Sequence, residues 1–179
     1  AMSFQVTSTD KNALDGKATR KEVSIHFTAD KKGPRMDLLL YLPNGVDGPV
    51  PVFMGLNFRG NHTVHADPNI TFNKGWMRRG DGIVNNRSTE GTRGTSASRW
   101  DLDAILSHGY GLATAYCGDI DPDFDDDFQN GVHPLFLTEG QKKPGPSEWG
   151  TISAWAWGLS RGLDYLETDK AVDHQRVAV

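Results

Sequence analysis

The sequence predicts an α/β fold built on a mainly parallel sheet. Three observations carry this. Two short, nearly continuous apolar runs, at residues 50–56 and 110–116, fit strands covered on both faces. Segments of helical period, at 100–108 and 148–168, follow them in turn. A further strand opens at Arg176-Val177-Ala178-Val179, so strands alternate with helices, as parallel strands joined by right-handed crossovers require.

The elements follow in order. Residues 1–18 are polar and without period and read as a loose lead-in. Residues 21–28 alternate around Val23, Ile25 and Phe27, a half-buried strand. After the turn at Lys32-Gly33-Pro34, residues 36–42 form a second strand, ended by Pro43-Asn44-Gly45, and the two make an antiparallel hairpin. The strand 50–56 ends in the polar loop Asn57-Phe58-Arg59-Gly60-Asn61-His62-Thr63, at the sheet edge where α/β proteins bind ligands. Residues 64–98 are a long Gly-, Asn- and Arg-rich loop, a length that is usually functional or disordered. Gly109 is placed to end the helix 100–108. Gly118-Asp119-Ile120-Asp121-Pro122-Asp123 follows the strand 110–116, and 124–147 is again loop. The helix 148–168 is apolar on most sides, with Trp149, Ile152, Trp155, Trp157, Leu159, Leu163 and Leu166, and is expected to be deeply buried. Val172-Asp173 reads as a turn. The whole chain, 1–179, is one domain, unfinished at its last strand.

Composition limits the function. With 19 Lys and Arg against 23 Asp and Glu, the net charge is -4, which gives no electrostatic help toward nucleic acid or an anionic membrane. No apolar stretch is long enough to cross a bilayer. The single Cys117 has no partner within these residues. Ala1-Met2-Ser3 looks like a remnant of tag cleavage, and no signal-peptide apolar segment follows it.

Gly158-Leu159-Ser160-Arg161-Gly162 matches the nucleophile-elbow pattern G-x-S-x-G. That motif works only on a sharp turn from strand to helix. Here no strand precedes it and the five residues lie inside a helical segment, so Ser160 is read as an ordinary helical residue. The strand opening at Arg176 has the better context for an elbow, which is expected within a few residues after Val179.

Four ordered blocks carry a family resemblance. The stretch from Trp155-Ala156-Trp157-Gly158 to Asp169, leading to Arg176-Val177-Ala178-Val179, resembles the helix and strand before the nucleophile in bacterial glucuronoyl esterases, carbohydrate esterase family 15. Leu56-Asn57-Phe58-Arg59-Gly60-Asn61-His62-Thr63, Ser98-Arg99-Trp100, and Gly109-Tyr110-Gly111-Leu112-Ala113-Thr114-Ala115-Tyr116 with Gly118 to Asp123 are similar to further blocks of that family. The likeness runs from about residue 35 to 179. It implies the three-layer α/β-hydrolase sandwich, N-terminal half of the sheet up to the nucleophile strand. It also implies a secreted or periplasmic serine esterase cleaving the ester between glucuronic acid on glucuronoxylan and a lignin alcohol, with no cofactor. An acetyl xylan esterase on the same fold and a non-catalytic carbohydrate-binding module stay open as alternatives. The family's catalytic Ser, His, acid and oxyanion Arg all fall after Val179, so no catalytic residue is assigned, and the remaining half of the same domain is an expected partner.

The residues expected to face the cleft are Asn57, Arg59, Asn61, His62, Trp76 and Asp119. Of the six histidines, His62 and His65 lie near the expected active edge, where they either touch substrate or order the loop. No third ligand at suitable spacing makes them a zinc site. Trp76 offers a flat ring either to a sugar or to the loop. Of Arg78, Arg79, Arg87, Arg93 and Arg99, in or beside the long loop, one is placed to reach a uronate carboxylate through a bidentate contact; otherwise such residues are solvated or tie the loop to the domain. The acidic run from Asp119 to Asp127 lacks the Gly and Glu of an EF-hand. Asp119 is expected either to sit in a solvated turn or to fix the strand end by bonding backbone.

Overall fold

A computed structural model describes residues 1–179. The elements are β1 (Ser3–Ala13), β2 (Ala18–His26), β3 (Arg35–Pro43), β4 (Val50–Asn57), β5 (Ile83–Val84), β6 (Arg87–Ser88), α1 (Ala97–Trp100), α2 (Leu102–Ser107), β7 (Gly111–Tyr116), α3 (Thr151–Leu166) and β8 (Val172–Ala178). Six strands form one sheet in the order β1-β2-β3-β7-β4-β8. The first three strands and β7 pair antiparallel; β7, β4 and β8 are parallel. The sheet is therefore mixed, its parallel part formed by β8 and the two strands, β4 and β7, that the continuous apolar runs mark.

Both faces of the sheet are covered, and the alternation along β3 shows how. Leu38, Leu40 and Leu42 join the core under α3 with Val23, Ile25, Met36, Val52 and Met54. Leu39 and Tyr41 point to the other face and pack with Leu102, Leu106, Leu112, Val64 and Ile70 around α2. A strand that feeds two cores has no polar face to show, which is why residues 38–42, LLLYL, contain no charged side chain.

The lead-in is not a loop. Residues 3–13 are the edge strand β1, paired along β2. Its side chains are mostly exposed, so no hydrophobic alternation marks it, and backbone pairing alone defines it. Two register irregularities, after Val6 and after Asp10, bend this edge. β8 likewise starts at Val172, where a turn was expected, because Val172 pairs with Val50.

The long loop 64–98 carries some structure of its own. β5 and β6 make a two-residue hairpin around Asn85 and Asn86, whose φ values of 50 and 56° suit a turn that needs two left-handed residues. The expected helix 100–108 is instead two, broken at Asp101 with φ 25°. The Asp101 side chain then accepts from Ala104 N and caps α2. Gly109 follows at φ 78°, the left-handed residue that ends that helix.

α3 is less buried than its composition predicts. Ala154, Gly158, Gly162, Tyr165 and Leu166 meet the sheet, whereas Ile152 is 72% exposed. Trp149, Trp155, Trp157, Leu159 and Leu163 pack only partly against the core. The outer indoles meet loop residues instead: Trp157 against Phe27 and Phe136, Trp149 against His133.

Candidate functional site

The parallel strands β4 and β7 end at one edge of the sheet. Asn57, the last residue of β4, is 3% exposed and organises the turn that follows. Its Oδ1 accepts from Gly60 N at 2.8 Å, and its Nδ2 donates to Asn61 Oδ1 at 2.7 Å and to Thr114 Oγ1 on β7 at 3.2 Å. Asn61 Nδ2 donates to the Asp37 carbonyl at 2.8 Å. Gly60 sits at φ 92°, and a Cβ there would meet His62 Cε1 at 2.7 Å, so the turn needs glycine twice over.

His62 is fully enclosed, stacked on Phe72 with centroids 4.1 Å apart. Thr92 Oγ1 donates to Thr89 O, so His62 Nε2 donates to Thr92 Oγ1 at 2.9 Å. His62 Nδ1 accepts from Asn73 N at 3.4 Å. Burial, with the Arg93 charge adding to it, lowers the imidazole pKa to about 4. This ring is neutral and both nitrogens are occupied, so it orders the loop and has no free lone pair for a substrate proton.

Asp119 lies just past the end of β7. Its Oδ1 accepts from Asn73 Nδ2 at 3.0 Å and its Oδ2 from Asp37 N at 3.1 Å. It thus bonds backbone at the strand end and also the loop. Burial pushes its carboxyl up to about 7, against the opposing pull of those two donors. Nearby, Glu22 accepts from Thr71 N at 2.7 Å and Thr71 Oγ1 at 2.9 Å, and Tyr116 Oη donates to the Trp76 carbonyl at 2.6 Å. Residues 71–77 are in this way tied to β2, β3 and β7. Between this segment and the strands lies a polar pocket of about 440 Å³, lined among others by Glu22, Asp37, Asn61, Asn73, Lys74 and Asp119.

Asn57, Asn61, His62 and Asp119 therefore belong to one hydrogen-bonded network, joined through Asp37, Asn73, Thr92 and Thr114. Arg59 and Trp76 lie outside it. Trp76 is half-buried and packs on Phe124 at 4.5 Å, near the Arg78–Asp123 ion pair. Arg59 is exposed beside Phe58, whose ring meets Trp155 edge-on at 5.5 Å. Ser160 lies within α3, exposed, and its hydroxyl reaches only the Ala156 carbonyl at 3.5 Å. No three His, Cys, Asp or Glu side chains converge as metal ligands would.

One buried pair escaped sequence reasoning. His133 Nδ1 lies 3.2 Å from Asp121 Oδ1, both almost wholly enclosed, and His133 Nε2 has no partner. Burial raises the Asp121 pKa, opposed by its hydrogen bonds and by His133. Trp155 Nε1 donates to the Asp121 carbonyl at 2.9 Å, so the pair locks the loop 124–147 to α3. Nothing in the spacing of Asp121 and His133 announces this contact; the only signal was an acidic residue at the end of a buried strand.

No protein-family model matches the sequence. A curated carbohydrate esterase from an unknown prokaryotic organism is 47% identical over 171 residues, which cover 94% of this chain and 39% of that protein. The structure of a glucuronoyl esterase from Solibacter usitatus superposes with a TM-score of 0.91 at 48% identity, over 99% of this chain and 45% of that one. A promiscuous family 15 esterase from a marine bacterial metagenome gives 0.84 at 45% identity, over all of this chain and 45% of that one. The chain thus spans less than half the length of the relatives it matches. In sequence and in fold it corresponds to the N-terminal half of the α/β-hydrolase domain of bacterial glucuronoyl esterases, carbohydrate esterase family 15.

Proposed function

We propose that the protein to which this chain contributes is a secreted or periplasmic serine esterase that cleaves the ester between glucuronic acid on xylan and an alcohol of lignin. The observation that supports this most is the 48% identity, with a TM-score of 0.91, to a glucuronoyl esterase over nearly the whole chain. The geometry agrees. β8 runs parallel to β4, with Ala178 beside Phe53, and its C-terminal end points to the edge where Asn57 and Asp119 stand. A nucleophile on a turn after β8 would face that edge, with His, acid and oxyanion donors in their usual division of labour. The residues of this chain would then build one wall of the cleft and perform no bond-making step. On this reading the 179-residue chain alone is inactive.

The test is hydrolysis of methyl glucuronate and of acetylated xylan by the full-length protein. Methyl glucuronate is expected to be the better substrate by kcat/KM. Preference for the acetyl ester would transfer the proposal to acetyl xylan, and no turnover of either would end it. The likeness to an acetyl xylan esterase from Bacteroides fragilis is 11% in sequence and concerns the fold alone.

A further inference from the structure

The chain has nine ion pairs of Lys or Arg with carboxylates, and Arg59 and Arg99 take part in none of them. Both nevertheless line one pocket of about 310 Å³, together with Leu56, Asn57, Phe58, Ser96 and Trp100. No carboxylate lines it. In a chain with 23 acidic and 19 basic side chains this is a local reversal of sign. In the two other pockets at this edge acids outnumber bases: Glu22, Asp37 and Asp119 against Arg35 and Lys74 in one, and Asp123, Asp125 and Asp126 against Arg78 in the other.

The two guanidiniums arrive from different elements, Arg59 from the exit of β4 and Arg99 from α1. Trp100 lines the pocket with them and lies against Gly55, where a Cβ would stand 3.6 Å from its ring. Asn57 has its side chain committed elsewhere. The free groups are thus two planar cations and an aromatic face. A guanidinium pairs with a carboxylate through two parallel N–H···O bonds, and a sugar ring lays its apolar face on an indole. The volume suits a ligand of one ring, at the small end of known pockets.

We infer that this pocket is a subsite for the ionised carboxylate of a uronic acid, held by Arg59 and Arg99 with the ring against Trp100. The inference rests on the proposed function for its ligand class. An esterified uronate is neutral and has no call on two cations. The bound group is therefore a free carboxylate, either that of the released acid or that of an unesterified uronosyl branch nearby on the same polysaccharide.

The experiment is calorimetric binding to the full-length protein, with Arg59→Ala, Arg99→Ala and the double variant. The probes are sodium D-glucuronate, a xylo-oligosaccharide bearing one uronosyl branch, and D-glucose as the neutral control. The double variant is expected to bind at least one acidic probe tenfold or more weakly. Wild-type affinity for that probe should fall as salt rises, and glucose should not compete. A change confined to glucuronate assigns the pocket to the released acid, and one confined to the branched oligosaccharide assigns it to the neighbouring branch. Arg→Lys variants should recover only part of the loss, because a lysine lacks the fork. Unchanged binding of both acidic probes in a folded double variant overturns the inference. Failure to hydrolyse methyl glucuronate would instead count against the proposed function, and the binding data would still decide the pocket.

Discussion

The Asn73 side chain donates to Asp119 Oδ1 at 3.0 Å while the Asn73 backbone N–H points at His62 Nδ1 at 3.4 Å. One residue therefore joins a carboxylate with a raised pKa to an imidazole with a lowered one. The two titrate in overlapping windows with opposite consequences. The Asp119 carboxyl moves from the ordinary 3.8 up to about 7 on folding, so the stability it contributes is lost as pH rises from about 4 to 7. The His62 imidazole moves from 6.5 down to about 4, so its contribution is lost as pH falls across nearly the same range.

The first prediction is that these slopes partly cancel in the full-length wild type. Asp119→Asn should leave a melting temperature that climbs from pH 4 to 6.5. His62→Gln should leave one that declines from pH 4 to 7. Thermal unfolding across that range reads both slopes; two variants with the wild-type profile would refute the assignment.

His62→Ala should also be costly at neutral pH. It removes two hydrogen bonds and the stack on Phe72 and opens a cavity, together about 2–4 kcal/mol. Urea unfolding of the full-length variant measures this. A loss below about 1 kcal/mol would mean that the loop does not lean on this ring.

Gly158 and Gly162 are one helical turn apart on the buried side of α3, Gly158 against Ile120 beyond β7 and Gly162 against Met54 on β4. A Cβ at Gly158 would stand 2.2 Å from Ile120 Cδ1 and 2.7 Å from Ile120 Cγ1; at Gly162 the nearest atom is the flexible end of Met54, at 2.1 Å. Gly158→Ala should therefore destabilise by about 1–3 kcal/mol despite the gain in helix propensity. Gly162→Ala should cost less, since Met54 can swing aside. Equal stability of Gly158→Ala and wild type would contradict the close approach.

Ser160→Ala should leave esterase activity of the full-length protein within twofold of wild type. The serine is exposed on α3 and bonds only its own helix. A loss of two orders of magnitude in kcat would reinstate it as a nucleophile.

The 179-residue chain expressed alone should self-associate. β8 forms an open sheet edge, and beside it Phe53 and Tyr110, rings 5.1 Å apart, are 43% and 39% exposed. Size exclusion with light scattering decides it: a cooperatively melting monomer would show that this edge is protected by other means.

The parts of the fold legible in the sequence are those where burial dictates composition. β3 and β7 feed two cores, so LLLYL and the strand 111–116 carry almost no polar residue; β4 buries Val50, Val52 and Met54 on one face and leaves Phe53 exposed on the other. β1 was illegible because an edge strand with exposed side chains needs only its backbone, and TSTDKN has no pattern to show. The break at Asp101 was hidden because a single residue with φ 25° leaves the helical spacing on either side intact. α3 was placed correctly but read as too deep, since Trp149, Trp155 and Trp157 pack on loops that have no period. At the site, the placement of Asn57, Asn61, His62 and Asp119 together at this edge was legible because polar residues crowd the C-terminal ends of buried strands; that Asn57, Asn61 and His62 would be buried in the network that orders the loop was not. Their partners Asn73 and Thr92 were not legible either, because a long loop returns to the sheet by geometry that spacing does not encode.

The strand order also sets a timetable. β4 lies between β7 and β8, yet neither exists when β4 leaves the ribosome. About 50 residues separate it from β7, which at ordinary synthesis speeds is roughly 3–10 s of waiting. During that interval β4 has only the β1–β3 meander for company. A translation pause between residues 57 and 111 would therefore prolong the time for which β4 stands without its neighbours.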